Sequence, residues 1–186
     1  QPVDCDYYLY DTSEMPIRKV SEKLAEGGAL TQAEDKIYLG NFEIKRNIGI
    51  DKYGNRIVQS ERQAIRIMDD RSCVAIIHYT TTNTTHPEIE GLLQFRYQFS
   101  NNIGSVCLEM DESAQLISYE EYFPFGGTSI ITGIDQAEVK AKEYRYSGKE
   151  RDDSTGLYYY GLRYYVPWQA RWLKPDPAGT TDGLNL

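Results

Sequence analysis

The feature that most constrains this chain is the recurrence of short runs in which apolar and polar residues alternate. KIYLGNFEIKR (36–46), RIVQSERQAIRIM (56–68), CVAIIHYT (73–80), LLQFRYQF (92–99), SVCLEM (105–110) and QLISYEEYF (115–123) carry β-branched or aromatic residues at near period two. Between them stand DKYGN, DDRS, TTNTTHPEIEG, SNNIG and DESA, rich in residues that reverse a chain. The pattern predicts hairpin after hairpin. Two stretches fall outside it. SEKLAEGGALTQAEDK (21–36) is helix-like in composition but broken by Gly27 and Gly28, which predicts a loop insertion, and TTTNTTHPEIEG predicts a second, polar loop. A weak repeat runs through YDTSEMPIRKV (10–20), DKYGNRIV (51–58) and MDESAQLISYEEY (110–122), each with an Asp at the turn entry, small or polar residues, then a strand. A single hairpin cannot bury its own face, so repeats of this kind stack.

Sixteen tyrosines against five phenylalanines and two tryptophans strengthen the case for sheet, because tyrosine suits half-buried surfaces where its hydroxyl finds a partner. The net charge is −8 with the basic residues scattered, which argues against nucleic acid or a membrane surface as the partner. Cys5, Cys73 and Cys107 are an odd count without metal-like spacing, so no disulfide framework or zinc site is expected, and no motif predicts a cofactor. No apolar run approaches the ~20 residues of a membrane span. The opening QPVDCDYYLYD has neither a Met nor a targeting pattern and reads as part of a longer polypeptide.

RYQFSNNIGSVCLEMDESAQLISYEEYFPFGGT (96–128), followed by YRYSGKERDDSTGLYYYGLRYYVPWQARWLKPDPAG (144–179), resembles the end of an RHS/YD-repeat protein, the RHS-associated core. RYSGKERD, RYYVPW and DPAGTTDGLNL are similar to the C component of bacterial ABC-type (Tc) insecticidal toxin complexes, and YLYD and IYLGNFEIKR fit the same family. The resemblance implies a mainly β fold, a spiral of antiparallel hairpins forming part of a hollow shell. It implies a shell segment over 1–143 and a core-associated plug over 144–186 that ends at a self-cleavage point after Leu186. The implied partners are the B component, the rest of the C shell and an encapsulated C-terminal toxin. The implied setting is a secreted complex, with no cofactor and no membrane contact by this segment.

Self-cleavage needs groups that move protons, and the last forty residues hold neither His nor Cys; the two histidines are His78 and His86. Carboxylates remain. Two close carboxyl groups cannot both ionise cheaply, so one stays protonated to polarise a carbonyl while the other takes a proton from water. The resemblance puts one acid in PDPAG, at Asp176, and the other in KERDDSTG. There Asp153 keeps the spacing to Thr-Gly, which favours it, whereas Asp152 follows the Glu-Arg-Asp register. Arg163 is the matching arginine, in a role that either holds a carboxylate ionised or stabilises an oxyanion. Plainer readings exist: both acidic segments are ordinary turn sequences, and Arg163 can simply stack on rings. Tyr158, Tyr159, Tyr160, Tyr164, Tyr165, Trp168 and Trp172 are expected to pack around the site and exclude water. A rival break is cyclisation of Asn185, which cuts between Asn185 and Leu186 instead of after Leu186. Two functions without chemistry also compete: a structural or adhesive YD-shell module of the teneurin kind, and a carbohydrate-binding β domain.

Overall fold

The computed structural model describes residues 4–26, 28–70 and 72–179. These divide into two compact units, the first comprising the chain up to residue 67 with 76–95, the second 68–75 and the chain from 96 onward. In the first, β1 (Cys5–Tyr10), β2 (Pro16–Leu24), β3 (Leu30–Leu39), β4 (Phe42–Ile50) and β5 (Arg56–Asp69) pair antiparallel in chain order, with β6 (Ser72–Asn83) next to β5. In the second, β7 (Leu93–Ser100), β8 (Val106–Met110), β9 (Leu116–Tyr122) and β10 (Thr128–Thr132) follow the same rule. A short helix α1 (Gln136–Lys140) leads to a separate sheet of β11 (Tyr158–Tyr159), β12 (Tyr164–Val166) and β13 (Arg171–Trp172). No helix among the described residues is long and apolar enough to cross a membrane.

The weak repeat is a turn with its own hydrogen-bond chemistry. Asp11 Oδ1 accepts the amides of Ser13 and Met15, at 2.8 and 2.9 Å. Asp51 does the same for Tyr53 and Asn55, and Asp111 for Ser113 and Gln115. In each turn the first residue's N–H donates to the fifth residue's carbonyl, and the fourth residue is left-handed: Glu14, Gly54 and Ala114. Asn101 builds the same turn over Ile103 and Ser105 with Gly104 left-handed, an occurrence the Asp pattern misses because an amide oxygen stands in for the carboxylate. The pairing register shifts beside the Asp11, Asn101 and Asp111 turns, as a hairpin with a bulged entry requires. Ala114 adopts φ +58° without the freedom glycine has. Ala114→Gly is therefore expected to raise stability by about 0.5–1 kcal/mol, read as a higher urea midpoint; a lower midpoint would contradict the turn assignment.

Two expectations need correction. Residues 21–36 are not a loop insertion. β2 runs to Leu24 and β3 starts at Leu30, and Ala25 N–H reaches the Ala29 carbonyl at 2.8 Å with Gly28 at φ +81°. Gly28 here belongs to the turn of a hairpin, and strand pairing overrides the helical preference of Glu, Ala and Lys. The run 36–46 is likewise two strands, because Gly40 at φ +68° turns the chain and Leu39 pairs with Phe42. The expected polar loop is shorter than predicted: β6 continues to Asn83, and a 3-10 turn spans Pro87–Ile89.

In the second unit the usual alternation is inverted. Arg96, Gln98, Glu109, Ser118 and Glu120 are buried, while Tyr97, Phe99 and Tyr119 on the same strands are exposed. The buried face stays polar because residues 133–148 lie over it and supply the complementary charges. Glu138 from α1 meets Arg96 Nη1 at 2.6 Å, and Arg96 Nη2 meets Glu109 at 2.7 Å. Lys142 and Arg145 both reach Glu120, at 3.0 and 3.1 Å. The segment is also tied through main chain, with Val106 N–H donating to the Arg145 carbonyl and Ser147 N–H to Ser105 Oγ. This covering strap delivers the chain to the small sheet. The sequence boundary placed at 143/144 falls within the second unit.

Candidate functional site: the three-stranded sheet after the strap

Arg151 bridges to Tyr158, Tyr158 pairs with Tyr165, and Tyr165 pairs with Trp172, so four residues lie side by side across the small sheet. At one end the chain turns through 152–157, closed by Asp152 N–H to the Leu157 carbonyl and Gly156 N–H to the Asp152 carbonyl. At the other it turns through 160–163, closed by Tyr160 N–H to the Arg163 carbonyl at 2.9 Å. Because the strands are antiparallel, β13 leaves its turn at the Asp152 end and runs towards the Arg163 end.

Burial separates the two adjacent acids. Asp152 is buried, and its Oδ1 accepts the Ser154 amide at 2.9 Å and the Ser154 hydroxyl at 2.6 Å; Asp153 is exposed. The Trp168 ring lies against this turn: a Cβ on Gly156, itself at φ +73°, would stand 3.3 Å from it. Trp168 is nevertheless 62% exposed and is not the core residue the sequence suggests, since it sits at the tip of the 3-10 turn Pro167–Gln169.

Asp176 is half-buried. Its Oδ2 lies 2.6 Å from Arg163 Nη2, and its Oδ1 accepts the Ala178 amide at 2.9 Å. Both oxygens act as acceptors, as those of an ionised carboxylate do. The Arg163 guanidinium carbon stands 4.1 Å over the Trp172 ring, and Trp172 meets Tyr160 and Tyr165 edge-on at 5.0 and 5.4 Å. Arg163 Nη1 is buried with no hydrogen-bond partner among the described residues. The structure thus brings Arg163 and Asp176 together at one end of the sheet and holds Asp152 in a turn at the other. Asn185 and Leu186 lie outside the described residues.

The sequence reading passed over the charged cluster beneath the strap. Glu120 is fully buried and accepts from Thr128 Oγ1, Tyr122 Oη, Lys142 and Arg145. Burial pushes its pKa up, but the two cations and these donors overcome that and hold it below the usual carboxyl range. Lys142 shows the reverse balance: burial wins and lowers its pKa despite Glu120. Burial also pushes the Tyr158 hydroxyl up to about 12, and that hydroxyl donates to the Gly126 carbonyl at 3.1 Å. The available signal was Ser118 and Glu120 at strand spacing, followed by cations in EVKAKEYRYS.

No family model matches the chain. It is 41% identical to toxin subunit YenC1 of Yersinia entomophaga over the whole of its own length and 18% of that protein. It is 37% identical to toxin subunit YenC2 of the same organism, over 98% of the chain and again 18% of the relative. Among solved structures, the crystal structure of TcdB2-TccC3-TEV superposes with a TM-score of 0.85 at 38% identity, covering all of this chain and 8% of that one. A mainly antiparallel hairpin fold closing on a small core-associated sheet, with full-length similarity to these proteins, defines a segment of RHS-repeat type. The chain is similar along its whole length to C components of Tc toxins, and it spans 18% of the length of the curated relatives it matches.

Proposed function

We propose that this chain is a C-terminal wall segment of a toxin-enclosing RHS shell and that its small sheet cuts the chain's own backbone once, after Leu186. The observation that carries this is the Arg163–Asp176 pair, which sets a charge-fixed carboxylate ten residues before the bond to be cut (186 − 176 = 10). Asp176 takes a proton from the water that attacks the Leu186 carbonyl carbon, and a second acid returns a proton to the departing amide nitrogen. Burial favours Asp152 over Asp153 as that donor. In the resting contacts each acid is engaged separately, Asp176 with Arg163 and Asp152 with Ser154. The seven residues from Gly179 to Leu186 (186 − 179 = 7) reach at most roughly 25 Å when extended, enough to cross a sheet whose strands are about 4.8 Å apart. The shell would be a secreted component, and its partners would be the B component, the remainder of the C shell and the released toxin.

The test is expression of the precursor with its natural downstream sequence, scored on a gel for one band or two. Asp153→Asn is expected to cut within about twofold of the parental rate, as an exposed residue outside the chemistry should. Asp152→Asn is expected to slow the cut about 100-fold. The opposite ranking moves the acid to Asp153. The second reading, a shell wall without chemistry, is favoured by the way Asp152 serves its own turn, and it predicts one band throughout.

A further inference from the structure

We propose that Trp172 is a positioning residue for the cut, which rests on the self-cleavage reading above. Its indole face fixes the plane of the Arg163 guanidinium so that Nη2 grips Asp176 while Nη1 is kept as an oriented, unspent donor.

Four observations converge on it. The guanidinium carbon lies 4.1 Å over the Trp172 ring, within stacking range. The ring cannot tilt freely, since Tyr160 meets it at 88° and Tyr165 at 68°. One terminal nitrogen is spent on Asp176 at 2.6 Å. The other is buried and without a hydrogen-bond partner among the described residues, an arrangement that proteins rarely leave standing. An arginine fork is rigid, so fixing its plane and one tine fixes the direction of the other. A donor held in that direction favours an oxygen that gains negative charge as water adds to the carbonyl carbon. Lysine could pair with Asp176, but it has neither the plane to stack nor a second tine.

The experiment follows cleavage of the full precursor, with its natural downstream sequence, as a rate. Parental precursor and Asp176→Asn are run alongside. Trp172→Leu is expected to slow cleavage about 10- to 100-fold, the scale of a misplaced catalytic group. Trp172→Phe, which keeps a ring face, should recover to within about threefold. Arg163→Met should be slow, and Arg163→Met with Trp172→Leu no slower than Arg163→Met alone, because Trp172 acts through Arg163. Multiplying losses in the double variant, or parental rates in Trp172→Leu, overturn the proposal while leaving self-cleavage intact. An uncut parental precursor, or an Asp176→Asn precursor cut at the parental rate, overturns the self-cleavage reading and this proposal with it. Co-purification with the B component reports assembly of each variant. If Trp172→Leu fails to assemble, Trp172→Phe and the Arg163→Lys variant decide: Trp172→Phe near the parental rate with Arg163→Lys slow supports the role, and any other pattern ends it.

Discussion

Precursor carrying Asp176→Asn is expected to remain a single uncut chain, at least about 100-fold slower than the parent, while still assembling its shell. Asparagine fits the same space and still accepts the Ala178 amide, which lies 2.9 Å from Asp176 Oδ1. It cannot take a proton from water, and it removes the charge that faces Arg163. The structural loss is small because the pair is partly solvated, with side chains 16% and 32% exposed; such pairs contribute about 1 kcal/mol or less. Chemistry and folding therefore separate in this variant. Cleavage at the parental rate would remove Asp176 from the mechanism.

Lys142→Ala is expected to have the largest effect on stability, about 3–5 kcal/mol, because it strands Glu120 in the interior with one cation fewer. Lys142 and Glu120 are both fully buried, 3.0 Å apart, and Lys142 also donates to the Val106 carbonyl at 2.6 Å. Lys142→Met fills the volume without the charge and should be nearly as damaging, which distinguishes a lost partner from a cavity. Double replacement, Glu120→Gln with Lys142→Met, should recover part of the loss, since no uncompensated carboxylate remains. Urea unfolding midpoints check all three. A loss below about 1 kcal/mol in Lys142→Ala would show that Arg145 alone neutralises Glu120. The consequence reaches the small sheet, because the strap held by this cluster carries the chain on to Asp152 through Arg151 N–H and the Glu143 carbonyl.

Turn chemistry was the most legible part of the fold. Asp11, Asp51 and Asp111 announce their hairpins because a carboxylate that binds the amides two and four residues on has a local signature. The hairpin at 25–29 was hidden because nothing local distinguishes a glycine that interrupts a helix from one that reverses a strand; the pairing of Leu24 with Leu30 decides it. The inverted face was hidden for a related reason. Alternation reveals two faces but not which is buried, and only the complementary charges of the strap, as in the Arg96–Glu138 contact 42 residues along the chain, make the charged face the inner one. At the candidate site, residue types and order gave Asp176 and Arg163 together. Which of Asp152 and Asp153 is buried, and the place of Trp172 beneath Arg163, depend on the turn at 152–157 and on the register of β12 against β13, neither of which is written in spacing.

The most direct measurement is a time course of intact masses for freshly synthesised precursor with its natural downstream sequence, at several dilutions. Self-cleavage by the small sheet predicts a fragment ending at Leu186, formed at a rate independent of concentration. A precursor that keeps its full mass, a rate that falls on dilution, or a fragment ending at Asn185 would contradict it.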